Sequence, residues 1–210
     1  MFDLKVDEEL HLRNIHPDDA EALFDLIERN RVRLRPWIDP YSLPETAKAA
    51  RLFAIHCLFN FYGDPAESSE LDQYYLELES YCPPQIRPID LGVWVHDELA
   101  GSIMMSRLED SSAALEFGYW LSEEHEGKGI ITRCVGALMD HAIDNMGIQR
   151  FVIGCAANNQ RSRAVPERLG YRLHVTKPNG EVVGEFVYDR VIYGIRSTAW
   201  REKSNKNSEN

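Results

Sequence analysis

At 210 residues, with 44% hydrophobic and 27% charged positions, the chain is long enough to bury one well-formed core and has the balance of a soluble globular domain. Its formal net charge of −11 excludes nucleic acid as the main partner, because phosphate binding needs a basic footprint. That charge suits a cationic amine or a basic protein, or simply keeps the chain in solution.

No apolar run approaches the roughly 20 residues that span a bilayer, and the opening MFDLKVDEEL has neither the basic nor the apolar region of a secretory signal. A cytoplasmic protein without a membrane partner is expected. Cys57, Cys82, Cys134 and Cys155 are scattered and form no metal-ligand spacing, so they are expected as buried free thiols, with no metal.

Leu10 to Ile15 alternates as a strand. The run from His16 to Asn30 reads as a helix with Pro17 and two aspartates in its first turn and Ala20, Leu23, Phe24 and Ile27 as its buried stripe. RVRLRPWIDPY reads as a loop, and Pro44 to Phe61 as a second helix with Ala47, Ala50, Ala54, Leu58 and Phe61 on one face. Between Gly63 and Asp90 lies an accessory insertion, with a short acidic amphipathic helix around Leu71 to Glu79. Three strand-like runs follow, LGVWV, LAGSIMMSRL and AALEFGYWLS, the first two joined by a tight turn at His96-Asp97-Glu98. An antiparallel meander is expected.

The third strand runs into SEEHEGKGIITRC, after which Val135, Leu138, Met139, Ala142, Ile143 and Met146 trace a helix face that Gly147 terminates. RFVIGCA reads as a strand buried on both faces, Asn159 to Leu169 as a helix, and EVVGEFVYDRVIYGI as closing strand material. Pro166 predicts a late start or a distorted first turn for that last helix. REKSNKNSEN reads as a disordered tail.

A glycine-rich turn ahead of a helix leaves backbone N–H groups unpaired beside the positive end of the helix dipole, which is a cradle for phosphate. Two familiar phosphate motifs fail: Ser122 and Gly129 stand where a P-loop needs Gly and Ser or Thr, and Thr132 stands where a dinucleotide fingerprint needs its third glycine.

The ordered set Gly118-Tyr119-Trp120-Leu121, Gly127-Lys128-Gly129-Ile130, Asn159-Gln160-Arg161-Ser162 and Leu169-Gly170-Tyr171 resembles the GNAT superfamily of acyl-CoA-dependent N-acetyltransferases, most closely its Rim-type branch. That branch acetylates N-terminal amines of ribosomal proteins. The resemblance covers Leu10 to about Ile195 and implies an α/β (α+β) GNAT fold: a mixed, mostly antiparallel sheet flanked by helices, with an extra helical insertion before the second strand. A single domain over 1–197, an insertion at 63–90 and a disordered tail at 198–210 follow.

The same resemblance implies acetyl-CoA as co-substrate, held by Trp120, Leu121, Glu126, Gly127, Lys128, Gly129, Ile130, Ile131, Asn159 and Ser162. Glu126 and Ile131 depart from the family pattern, which has a neutral or basic residue and a small one there; both departures could weaken CoA binding, though the contact is made largely by backbone N–H groups and Glu126 can point to solvent. Lys128, Arg133, Arg161 and Arg163 are further candidates for CoA phosphates. Many relatives place a tyrosine acid where Pro166 stands, so the resemblance passes the proton-donor role to Ser162, the alternative being that Asn159 or Ser162 simply caps the next helix.

Glu116 is acidic in an apolar strand and shares a face with Gly118 and Trp120. It is the candidate general base, the alternative being a strand carboxylate paired with an arginine such as Arg107. Trp37 and Tyr119 are candidates for lining the acceptor pocket. The expected reaction moves acetyl from acetyl-CoA to a primary amine, the N-terminal α-amino group of a basic protein foremost. A small-molecule amine acetyltransferase or a non-catalytic acyl-CoA-binding module are the alternatives, and a homodimer is left open.

Overall fold

The computed structural model describes residues 2–62, 89–108 and 111–208. The chain forms two compact units: residues up to Ser106 with Tyr119–Glu126, and Arg107–Gly118 with Gly127 onward. The expected acidic helix at Leu71 to Glu79 and Cys82 lie outside the described residues.

In the first unit, alternation in LHLRN produces strand β2 (Leu10–Asn14), which buries every second residue. It pairs antiparallel with β1 (Asp3–Lys5), a short strand within the acidic opening, and with β3 (Ile89–Val95). β4 (Glu98–Leu108) returns along β3 after a turn in which His96 and Asp97 both take positive φ, 46° and 67°. That is the conformation a two-residue hairpin turn requires, as the sequence predicted.

Helix α1 (Ala20–Leu34) follows a 3-10 turn whose start is closed by a reciprocal cap: the His16 ring accepts from the Asp18 amide, and the Asp19 carboxylate from the His16 amide. It runs four residues past Asn30, through RVRL, where a loop was expected. The reason is Leu34, which continues the buried Leu23, Ile27 and Asn30 line; Pro36 stops the helix only later. Helix α2 (Ala47–Tyr62) sets Ala50 and Ala54 into the same apolar cluster as Leu23, Leu26, Ile27 and Trp94.

In the second unit, strand β5 (Ser111–Leu121), which belongs to this unit up to Gly118, pairs parallel with β6 (Arg150–Ala156), and helix α3 (Ile130–Met146) makes the crossover. Gly147 ends α3 at φ 65°, and Val135, Leu138, Met139 and Ala142 are buried as the spacing predicted. Helix α4 (Gln160–Leu169) follows, then β7 (Arg172–Val183) and β8 (Phe186–Arg196). The strand order is β5-β6-β8-β7, antiparallel after the first pair. The sheet material is thus mixed and mostly antiparallel, as expected.

Two expectations need correction. α4 begins directly after its cap Asn159 despite Pro166, because a proline this far along removes only the bond to the Ser162 carbonyl and leaves the first turn intact. The polar tail is helix α5 (Ser197–Ser208). Trp200 is buried against Gly136 of α3 and donates to Asp140 at 2.8 Å; Arg201 binds Asp140 and Asp144. Composition hides this helix, since one tryptophan and one arginine anchor it. No helix among the described residues is long and apolar enough to cross a membrane.

Trp200→Ala should therefore release the whole of α5. Loss of amide-exchange protection across residues 197–208 and a cost of about 3 kcal/mol in denaturant unfolding are expected; retained protection would show that α5 holds without its anchor.

Candidate active site

The turn after β5 is built in two steps. Ser122, whose amide binds the Ala100 carbonyl at 2.8 Å, starts a single 3-10 turn (Glu123–His125), and its hydroxyl lies 2.8 Å from His125 Nδ1. Gly127 and Gly129 then adopt φ of 74° and 72°, with open space where a Cβ would stand, so these glycines serve conformation rather than close packing. Gly129 caps α3 with no side-chain hydrogen bond. The amides opening α3 have no carbonyl a turn earlier to bind, so an anion can take that place.

Glu126 does not point to solvent. Its carboxylate is bound by Arg33 of α1, whose guanidinium also donates to the Leu121 carbonyl at 2.5 Å and to Asn30 Oδ1 at 3.0 Å. Asn30 Oδ1 in turn accepts the Glu123 amide at 3.0 Å. Two α1 residues thus tie down the start of the turn and neutralise the one carboxylate that argued against a phosphate ligand. Sequence reasoning missed both, because Arg33 fell in a stretch read as loop; once α1 extends, Asn30 and Arg33 stand one turn apart. Ile130 and Ile131 are buried, and Lys128 is exposed.

Within the second unit, Glu116 of β5 is held by Arg190 of β8 at 2.5 Å, so its arginine partner is Arg190 rather than Arg107. Arg190 Nε also stands 3.4 Å from Glu181 Oε2 on β7. Burial raises the Glu181 carboxyl above its usual range, Arg190 opposes the rise, and Glu116 adds to it. The guanidinium lies against Gly154 of β6, where an ideal Cβ would meet its Nη2 at 2.5 Å.

Beside this group, Asn159 Oδ1 accepts the Ser162 amide at 3.1 Å, so Asn159 is the cap of α4. The Ser162 hydroxyl shares a hydrogen bond with the Cys155 thiol, which burial raises above its usual value. Cys57, Cys134 and Cys155 are buried free thiols. Arg163 is not a surface cation awaiting phosphate: it donates to the Tyr193 hydroxyl at 3.0 Å and the Ala157 carbonyl at 2.9 Å.

β5 pairs with β6 over Ala114–Phe117, and its last residues, including Tyr119, Trp120 and Leu121, lie beyond that ladder. The Trp120 carbonyl crowds Gly101 of β4, where an ideal Cβ would come within 2.2 Å of it. Trp37, in the turn after α1, and Tyr119 are both partly buried in the first unit.

A parallel strand pair joined through a glycine turn that opens a helix, with carboxylates on the strands and a capped serine at the start of the next helix, has the character of an acyl-CoA-dependent transferase. Residues 9–172 match the family described as the acetyltransferase (GNAT) domain. The chain is 30% identical over 200 residues to the putative ribosomal N-acetyltransferase YdaF of Bacillus subtilis (strain 168), covering 95% of this chain and 98% of that one. It is 36% identical over 101 residues to the ribosomal-protein-serine acetyltransferase of Escherichia coli (strain K12), covering 48% of this chain and 56% of that one. A crystal structure of the ribosomal L7/L12 alpha-N-protein acetyltransferase RimL with coenzyme A has the same fold, with a TM-score of 0.72 at 24% identity over 93% of this chain and 98% of that one. The chain belongs to the GNAT acetyltransferase family, and its acetyl donor is acetyl-CoA.

The Arg33–Glu126 pair makes a double-mutant prediction. Arg33→Met bares a carboxylate beside the turn and should weaken acetyl-CoA binding by about tenfold in calorimetric titration. Glu126→Gln alone should change it by less than about threefold, and the double variant should recover most of the loss. Equal weakening by all three would mean that the pair only braces the loop.

Proposed function

We propose that the chain acetylates the N-terminal α-amino group of a protein, a ribosomal protein foremost, in the cytoplasm. The observation that carries the acceptor class is the near full-length likeness to a putative ribosomal N-acetyltransferase. Chemistry supports it: an α-amino group with a reference pKa of roughly 7.7–8.0 keeps a neutral fraction at pH 7 that a lysine near 10.4 does not. The net negative charge of two glutamates around one arginine also favours a cationic acceptor on approach.

In this reading the amides of Gly127 to Ile131 receive the CoA pyrophosphate, and the end of β5 around Trp120 and Leu121 supports the pantetheine arm and supplies an N–H to the oxyanion. The acceptor nitrogen attacks the thioester carbonyl and loses its proton, through water, to Glu116 and the Glu181 that shares its arginine. The tetrahedral intermediate collapses, the carbon–sulfur bond breaks, and Ser162 gives a proton to the departing thiolate. Asn159 fixes Ser162 at the start of α4, and the Cys155 hydrogen bond orients its hydroxyl. Trp37 and Tyr119 bear on the acceptor side.

The test is transfer from acetyl-CoA to basic peptides with free or blocked N-termini, read by mass spectrometry and free-thiol release. Acetylation at the α-amine, at least about tenfold faster than on the blocked peptide, is expected. Ser162→Ala should lower kcat by about 10²-fold with little change in KM. Turnover of polyamines or aminoglycosides without turnover of any peptide would replace this acceptor class with small molecules.

A further inference from the structure

The mechanism above uses the two glutamates and gives no role to the group between them. Arg190 is an unusual residue for its place. It sits on a central strand, between β6 and β7, with its guanidinium laid across the backbone of the neighbouring strand at the one residue without a side chain, Gly154. Any Cβ at that position would occupy the space of the guanidinium, at 2.5 Å from Nη2 and 2.6 Å from Nε. Gly154 is therefore a seat for Arg190, and not a turn residue.

From this seat the guanidinium reaches two carboxylates on two other strands. Nη2 donates to Glu116 Oε1 at 2.5 Å, a short charge-assisted bond, and Nε faces Glu181 Oε2 at 3.4 Å. The second contact is an ion pair without a formed hydrogen bond: both Arg190 Nε and Glu181 Oε2 are buried without a hydrogen-bond partner. A buried donor and a buried acceptor that face each other across 3.4 Å are poised to close on a small shift or on a bridging water.

We infer that Arg190, seated on Gly154, is a positioning residue of the acetyl transfer, holding Glu116 and Glu181 together as an ionised pair able to accept the acceptor's proton. The inference rests on the transferase reading of this site. With the cation removed, burial and the Glu116 charge would raise the proton affinity of Glu181 unopposed, and the pair would hold a proton at higher pH. A shared proton blocks the base. Arg190 thus sets the lowest pH at which the pair works, without touching substrate itself.

The titratable and charged groups around the pair come from every packed element: Glu116 from β5, Cys155 from β6, Arg163 from α4, Lys177 from β7 opposite Arg190, and Arg190 from β8. Cys155 is raised by burial and stays neutral through the acid range, so the acid limb belongs to the carboxylates. The sign follows from the cation: Arg190 lowers the proton affinity of Glu181, and its loss raises it.

The experiment compares wild type, Arg190→Met, Arg190→Lys and Gly154→Ala in two readouts. One is the pH profile of kcat/KM with an N-terminal peptide. The other is the ¹³C titration of glutamate side-chain carboxyls, assigned by Glu116→Gln and Glu181→Gln, which needs no activity. Arg190→Met is expected to move the acid limb and the Glu181 carboxyl titration up by about one pH unit or more. Gly154→Ala should move them the same way, since it displaces the guanidinium while leaving the arginine in the chain. Arg190→Lys should restore most of the wild-type position.

An Arg190→Met protein that is folded, with the thermal shift on acetyl-CoA unchanged and both the limb and the carboxyl titrations unmoved, overturns the inference. If Arg190→Met does not fold, Gly154→Ala and Arg190→Lys decide by the same readouts. If the wild type transfers acetyl to no peptide, the acceptor reading fails and the carboxyl titrations alone decide the role of Arg190.

Discussion

Parallel strands cannot be joined by a tight turn. Because β5 and β6 run parallel, the chain must leave the end of β5, travel back as a helix and re-enter at the start of β6. The positive end of α3, at Ile130, therefore follows the end of β5 at Leu121 by one 3-10 turn and the glycine turn. Gly127 and Gly129 take left-handed conformations, with open space where a Cβ would stand.

An acidic chain that must hold a polyanionic donor faces an electrostatic problem, and it is met locally. At the phosphate turn the unwelcome carboxylate of Glu126 is bound by Arg33, and the same guanidinium fastens the end of β5 through the Leu121 carbonyl. On the neighbouring strands Arg190 stands between Glu116 and Glu181 in a similar way, with one short hydrogen bond and one looser contact. In each place the planar fork of an arginine faces two acceptors at once. The overall charge of −11 says little about either site.

The elements with strong periodicity were legible. β2, the meander, α3 with its Gly147 stop, and β6 all follow from patterns that local sterics and burial impose. What was misread has identifiable causes. The last turn of α1 looks like a basic loop until Leu34 is buried; α5 looks like a disordered tail until Trp200 finds Gly136 and Asp140. Pro166 suggested a distorted helix start, but it stands too far along the helix to touch the first turn.

Sequence by itself determined the order of elements, the glycine turn at a helix start, the acidic residue in an apolar strand and the Asn-x-x-Ser step, because each is a short-range pattern within one element or across one turn. The tertiary structure decided the partners. Arg33 lies 93 residues from Glu126 and Arg190 lies 74 from Glu116, so neither pairing leaves a local trace. The seat of Arg190 on Gly154 depends on a register between two strands that no spacing in the sequence reveals. Chain order fixes which residues a site can use; only packing fixes which charges meet.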